Sequence, residues 1–160
     1  MRTRREQQTE TEVEPNWRFL VLSQSQARQR TFSHEYLLIS IQDPDEPVVE
    51  LPKPPNCRGI LRLQFDDVLG QREGLTLFSR EQARQVLDFV YEHRDEVRVI
   101  ACHCKMGMCR SPAVLAAVAE VMGQKDDFLR DERGRPKYRP NRYVYRTLLT
   151  EGRRHRLSQP

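Results

Sequence analysis

Cys104-Lys-Met-Gly-Met-Cys-Arg110-Ser111 brings a thiol, a guanidinium and a hydroxyl into eight consecutive residues. A cysteine followed by a short glycine-containing loop and an arginine makes an anion site with a nucleophile at its floor. If the loop enters a helix, several backbone N–H groups converge on one point and the helix dipole favours negative charge there. A thiol in that field loses its proton readily, and the thiolate is the reactive form. Arg110 adds a planar fork matched to two oxygens of a phosphate. Gly107 gives the loop room to turn. Lys105, Met106, Met108 and Cys109 would contribute mainly their backbone N–H groups. Ser111 would cap the helix, or donate to the Cys104 sulfur, or both.

The flanking residues are those such a loop needs. Val97-Arg-Val-Ile-Ala-Cys102 is an apolar run that predicts a strand, and Ser111–Met122 is an alanine-rich run closed by Gly123 that predicts a buried helix. Strand alternation turns His103 to the side opposite Cys104 and suits it to a structural hydrogen bond. Upstream, Trp17–Leu22, Tyr36–Ile41 and Ile60–Phe65 read as further strands, the second buried on both faces. Residues 43–56 carry five prolines and read as a loop. Ser79 with Gln82 forms a capping box, and Ala83, Val86, Leu87 and Val90 follow at helical spacing. Asn141 after Pro140 caps a last helix. Strands alternating with helices predict a single α/β domain with a central, mostly parallel sheet flanked by helices.

His103 to Ser111 reads His-Cys-x-x-Gly-x-x-Arg-Ser and resembles the signature of the cysteine-dependent tyrosine and dual-specificity phosphatases, matching every fixed position. The segment from Gly59 to Gly123 resembles the dual-specificity branch, and Pro140–Leu149 is similar to the last helix of small bacterial members. The resemblance implies a dual-specificity-phosphatase-like fold and hydrolysis of phosphate monoesters, phosphotyrosine and also phosphoserine or phosphothreonine. Cys104 would be the nucleophile, Arg110 would hold the phosphoryl oxygens, and residues 105–111 would line the phosphate site. It also implies a general acid in the loop after the strand preceding the capped helix. There the pattern favours Asp67, with Asp66 the alternative. No cofactor and no metal are implied. A lysine at Lys105 also occurs in lipid-phosphate members, so lipid or RNA 5′-phosphates are alternative substrates, and a phosphate-recognising module without turnover is a third reading. Cys102, His103, Cys104 and Cys109 could otherwise be zinc ligands, but such ligands usually come as spaced pairs from two elements.

The chain has 160 residues, which suits one domain. Residues 1–15 and 152–160 are polar or basic without apolar periodicity and read as mobile tails, leaving 16–151 as the phosphatase domain. The net charge of +4 is concentrated from Arg130 to Arg156, which reads as a solvated face and leaves nucleic acid open as a partner. The expected partner is a phosphorylated protein or small phosphomonoester, and the expected state a monomer. There is no run of eighteen apolar residues, so no membrane span is expected, and no secretory signal is seen. Three of the four cysteines crowd one loop, which points to reduced thiols and a cytoplasmic setting rather than a disulfide framework. Cys109 and Cys57 are candidates for trapping an oxidised Cys104.

Overall fold

The computed structural model describes residues 16–159. The tail expected over residues 1–15 lies outside them. Four strands form one fully parallel sheet in the order β1-β4-β2-β3: β1 Arg18–Ser23, β2 Tyr36–Gln42, β3 Cys57–Gln64 and β4 Val99–Cys104. The two inner strands, β2 and β4, are buried at every residue, which is why YLLISIQ and VIACHC are apolar almost throughout. The edge strands are only partly buried.

The helices are α1 Gln24–Gln29, α2 Arg80–His93, α3 Arg110–Val121 and α4 Arg142–Gly152. One face of the sheet packs Ile39, Ile41, Ile100 and Cys102 against Val86, Leu87, Val90, the apolar side chains of α3, and Val144 and Leu148 of α4. The other face is smaller. There Leu22, Leu38, Val99 and Ala101 meet Ala27 of α1, Phe32 and Leu51. The α2 capping box forms as its sequence suggests, with Ser79 and Gln82 each bonding the other's backbone N–H. A second capping box, Ser23 with Gln26, opens α1 directly after β1. The short polar helix α1 has no apolar period to betray it.

The C-terminal segment, expected from its composition to be a mobile tail from residue 152, makes contacts with α2. Residues 156–158 form a 3₁₀ turn against α2. Leu157 is buried, His155 Nε2 lies 2.6 Å from Asp88 Oδ1, and the Arg156 guanidinium stacks over Tyr91. One apolar side chain and two partners on α2 suffice to order a run whose composition reads as solvated.

After β3 the chain crosses behind the sheet through α2 and returns as β4, inserted between β1 and β2. In open parallel sheets such a reversal leaves a crevice at the carboxyl ends of the strands. Ser23 of β1 stands opposite Cys104 there, and the loops after β2, β3 and β4 all emerge on that edge.

Candidate active site

Cys104 is the last residue of β4 and is 3% exposed. Burial by itself pushes its thiol upward. Against that, the Ser111 hydroxyl, 3.1 Å from the sulfur, and the backbone N–H groups of Ser111, Cys109 and Gly107 all favour the thiolate, and the net shift is downward. Ser111 therefore spends its hydroxyl on the sulfur. It does not cap α3, whose N-cap position falls on Cys109 without a side-chain cap.

The loop between β4 and α3 turns its carbonyls outward. Lys105 O accepts from Gln24 N at 3.1 Å, Met108 O from Arg139 N at 2.9 Å, and Cys109 O from Asn141 N at 2.9 Å. With its acceptors tied to surrounding elements, the loop is free to aim amides at the sulfur. Gly107 is required on two counts. Its φ is +68°, and a Cβ there would stand 2.8 Å from Ser23 N and 2.9 Å from Leu22 C. The side chains of Met106 and Met108 point to solvent.

Arg110 opens α3 yet is 5% exposed. Its Nη1 donates to Asp43 Oδ1 at 2.6 Å and to the Phe65 carbonyl at 2.7 Å. Asp43 is the first residue after β2, so its strand end lies beside that of β4. The same loop supplies Glu46, 3.1 Å from Lys105 Nζ. Both cations of the Cys104–Arg110 loop thus face carboxylates from residues 43–46.

The two aspartates after β3 behave differently. Asp66 Oδ2 accepts from Thr76 N at 2.7 Å, while Asp66 N donates to Thr76 O, so this residue pins the base of the 66–76 loop. Asp67 is exposed and stands beside Cys109 of the Cys104–Arg110 loop. Burial, then the Asp67 carboxylate, push the Cys109 thiol upward, which keeps it protonated. Asp67 Oδ1 also accepts from Asn141 Nδ2 at 2.8 Å.

His103 faces away from Cys104, toward β2, and its Nε2 lies 2.6 Å from Ser40 Oγ. Burial pushes its pKa down to about 4, with the charges of Arg62 and Arg110 acting the same way, so the ring is neutral near pH 7. It holds β4 to β2 immediately before Cys104. With His103 committed to Ser40, Cys102, His103, Cys104 and Cys109 do not converge. Among the described residues no group of three or more His, Cys, Asp or Glu side chains is placed to hold a metal ion.

The sequence-predicted Cys104, Arg110, Ser111 and loop 105–109 are therefore gathered at one edge, with Asp67 adjacent. The sequence reading missed Asp43 and Glu46, and took Asn141 for a helix cap alone. Asp43 was legible in one respect: it directly follows the all-buried strand that must flank β4.

No protein-family model matches the sequence, and no curated protein matches it significantly. Solved structures do match. The human tyrosine phosphatase-like serine/threonine/tyrosine-interacting protein is 19% identical over 87% of this chain and 92% of its own, with a TM-score of 0.57. Human DUSP28 is 15% identical over 85% of this chain and 92% of its own, with a TM-score of 0.53. The likeness runs the length of both partners.

Proposed function

From the dual-specificity phosphatase fold that these likenesses establish, we propose that the protein hydrolyses phosphate monoesters, preferably aryl esters such as phosphotyrosine, through a cysteinyl-phosphate intermediate. The observation that carries the reading is the Cys104 sulfur held among the Ser111 hydroxyl and three backbone amides, at the floor of a loop closed by the buried Arg110.

In this reading the Cys104 thiolate attacks phosphorus in line, and the bond to the leaving oxygen breaks as the S–P bond forms. Protonated Asp67 gives its proton to that oxygen. Water then attacks the thiophosphate, passing a proton to the Asp67 carboxylate. The S–P bond breaks, inorganic phosphate departs, and Ser111 donates to the sulfur as it recovers its negative charge. Nη1 of Arg110 is committed to Asp43 and Phe65, which leaves Nε and Nη2 to bind two phosphoryl oxygens and the charge developing on them.

Two features support an aryl substrate over a polyanionic one. Among the described residues, the exposed large apolar side chains, Val48, Leu69, Leu75, Met106 and Met108, all lie on the loops that follow β2, β3 and β4, where they could meet an aromatic leaving group. Lys105 and Arg110 are each partly neutralised by Glu46 and Asp43, which weakens the pull on lipid or RNA phosphates. The four free thiols suit a reducing compartment such as the cytoplasm, and among the described residues no helix is long and apolar enough to cross a membrane.

One fold relative is named a phosphatase-like interacting protein, so recognition without turnover is the second reading. Steady-state hydrolysis of p-nitrophenyl phosphate separates the two. Turnover that disappears in Cys104→Ser and falls steeply in Arg110→Lys supports catalysis. A wild type that binds tungstate but turns nothing over would leave a recognition module. A panel of phosphotyrosine and phosphoserine peptides, phosphoinositides and 5′-triphosphorylated RNA ranks the substrates, with phosphotyrosine expected first.

A further inference from the structure

Asn141 does more than end a loop. The residue is 4% exposed, and its side chain makes three hydrogen bonds. Oδ1 accepts from Val144 N at 3.1 Å, the cap of α4. Nδ2 donates to Asp67 Oδ1 at 2.8 Å and to the Val68 carbonyl at 3.1 Å. Its own backbone N–H donates to Cys109 O at 2.9 Å. One residue thus joins the nucleophile loop, the acid-bearing loop and the last helix.

The chemistry of the amide makes the arrangement one-way. Val144 N is a donor, so the atom facing it must be the oxygen, and the NH₂ group must face the Asp67 loop. A cap alone needs only the oxygen, and serine or aspartate supplies that equally well. Of the common cap residues only asparagine supplies a cap acceptor together with two donors. Both donors are spent on the loop of Asp67: one holds its backbone at Val68, the other holds one carboxylate oxygen. With Oδ1 accepting a hydrogen bond, the acid's proton is left to Oδ2. The oxygen held by Asn141 and the oxygen that would deliver the proton are thereby distinguished.

We propose that Asn141 is the positioning residue for the general acid: it fixes the Asp67 loop against the nucleophile loop and selects the carboxylate oxygen that protonates the leaving group. The inference rests on the phosphatase reading above and on Asp67 being its acid.

The test uses the full chain and two substrates, an alkyl phosphate whose leaving oxygen needs a proton and p-nitrophenyl phosphate whose leaving group does not. Asn141→Ser keeps a cap for α4 but cannot reach Asp67 or Val68. It should lower kcat on the alkyl phosphate roughly 10-fold or more while changing p-nitrophenyl phosphate turnover little. In an Asp67→Asn background the same substitution should cost nothing further, because it acts through a group already removed. Equal losses on both substrates, additive losses in the double variant, or no loss at all would overturn the inference. If Asn141→Ser fails to fold, Asn141→Asp is read by the same criteria: it keeps the strongest cap, and its carboxylate repels Asp67. If Asp67→Asn itself shows no preference for the activated leaving group, the acid assignment fails and this inference with it. If Asp67→Asn shows that preference and Asn141→Ser does not, only the inference fails.

Discussion

Asp43 Oδ1 lies 2.6 Å from Arg110 Nη1, and the Arg110 side chain is 6% exposed against 26% for Asp43. The Phe65 carbonyl is the second acceptor of the same Nη1. In the proposed phosphatase the pair would hold the fork ready for an oxyanion while offsetting part of the charge that attracts one.

Breaking it should have two consequences of opposite sign. Asp43→Asn leaves a nearly buried cation without its counter-ion, which should cost about 1–3 kcal/mol of stability, less than a wholly buried pair because Asp43 is partly solvated. Tungstate or vanadate then becomes the missing counter-ion. The rise in Tm on adding saturating tungstate should therefore be larger in Asp43→Asn than in wild type, while kcat falls. Equal rises would mean that Asp43 and the ligand do not share Arg110.

The Ser111 hydroxyl is one of four donors that lower the Cys104 thiol against the opposing effect of burial. Ser111→Ala removes it, so the thiol should titrate at higher pH. Alkylation by iodoacetamide at pH 6 should slow by roughly 10-fold, the worth of one hydrogen bond to a charge, and the pH–rate profile should move upward. A profile unchanged in Ser111→Ala would assign the lowering to the backbone amides alone.

His103 is neutral in the fold because burial pushes it down to about 4 from its ordinary 6.5. Between those values the unfolded chain binds the proton and the folded chain does not. Stability from this residue is therefore complete above about pH 6.5 and falls as the pH drops toward 4, by about 3 kcal/mol at most. Urea midpoints measured at pH 7 and pH 4.5 should differ clearly in wild type and by less in His103→Asn. An identical difference in both would remove His103 from the acid response.

The register separates the two cysteines considered as partners for an oxidised Cys104. Cys57 and Val99 both stand opposite Tyr36, so Cys57 lies at the amino end of the sheet, five residues back from Cys104. That is roughly 16 Å along the strand direction, beyond any disulfide. Peroxide should inactivate Cys57→Ser and wild type alike, with equal recovery in thiol reductant. Mass mapping should find any bridge to Cys104 at Cys109. A Cys57–Cys104 bridge would contradict the parallel register.

Local chemistry alone determined much of this protein. YLLISIQ is apolar almost throughout because a strand covered on both faces has no polar side to display, so that strand was legible as an interior one. The capping box at Ser79, the glycine at 107 and the cysteine-to-arginine spacing each carry their reason within a few residues. Cys104, Arg110 and Ser111 were legible for the same cause: loop and helix start are contiguous in the chain. What only the tertiary structure decided is what reaches the loop from elsewhere. Asp43 meets Arg110 because β4 inserts beside β2, sixty-seven residues away in sequence. Asp67 rather than Asp66 lies beside the Cys104–Arg110 loop, held by Asn141, while Thr76 captures its neighbour. Asn141 reads as a cap from its local sequence, and its two amide donors acquire meaning only when the last helix brings them to the loop after β3. Composition likewise marked residues 152–160 as a tail, because contact through one leucine and two polar side chains leaves no periodic trace. A contact between distant segments depends on strand order and crossover, and neither leaves a mark on the residues nearby.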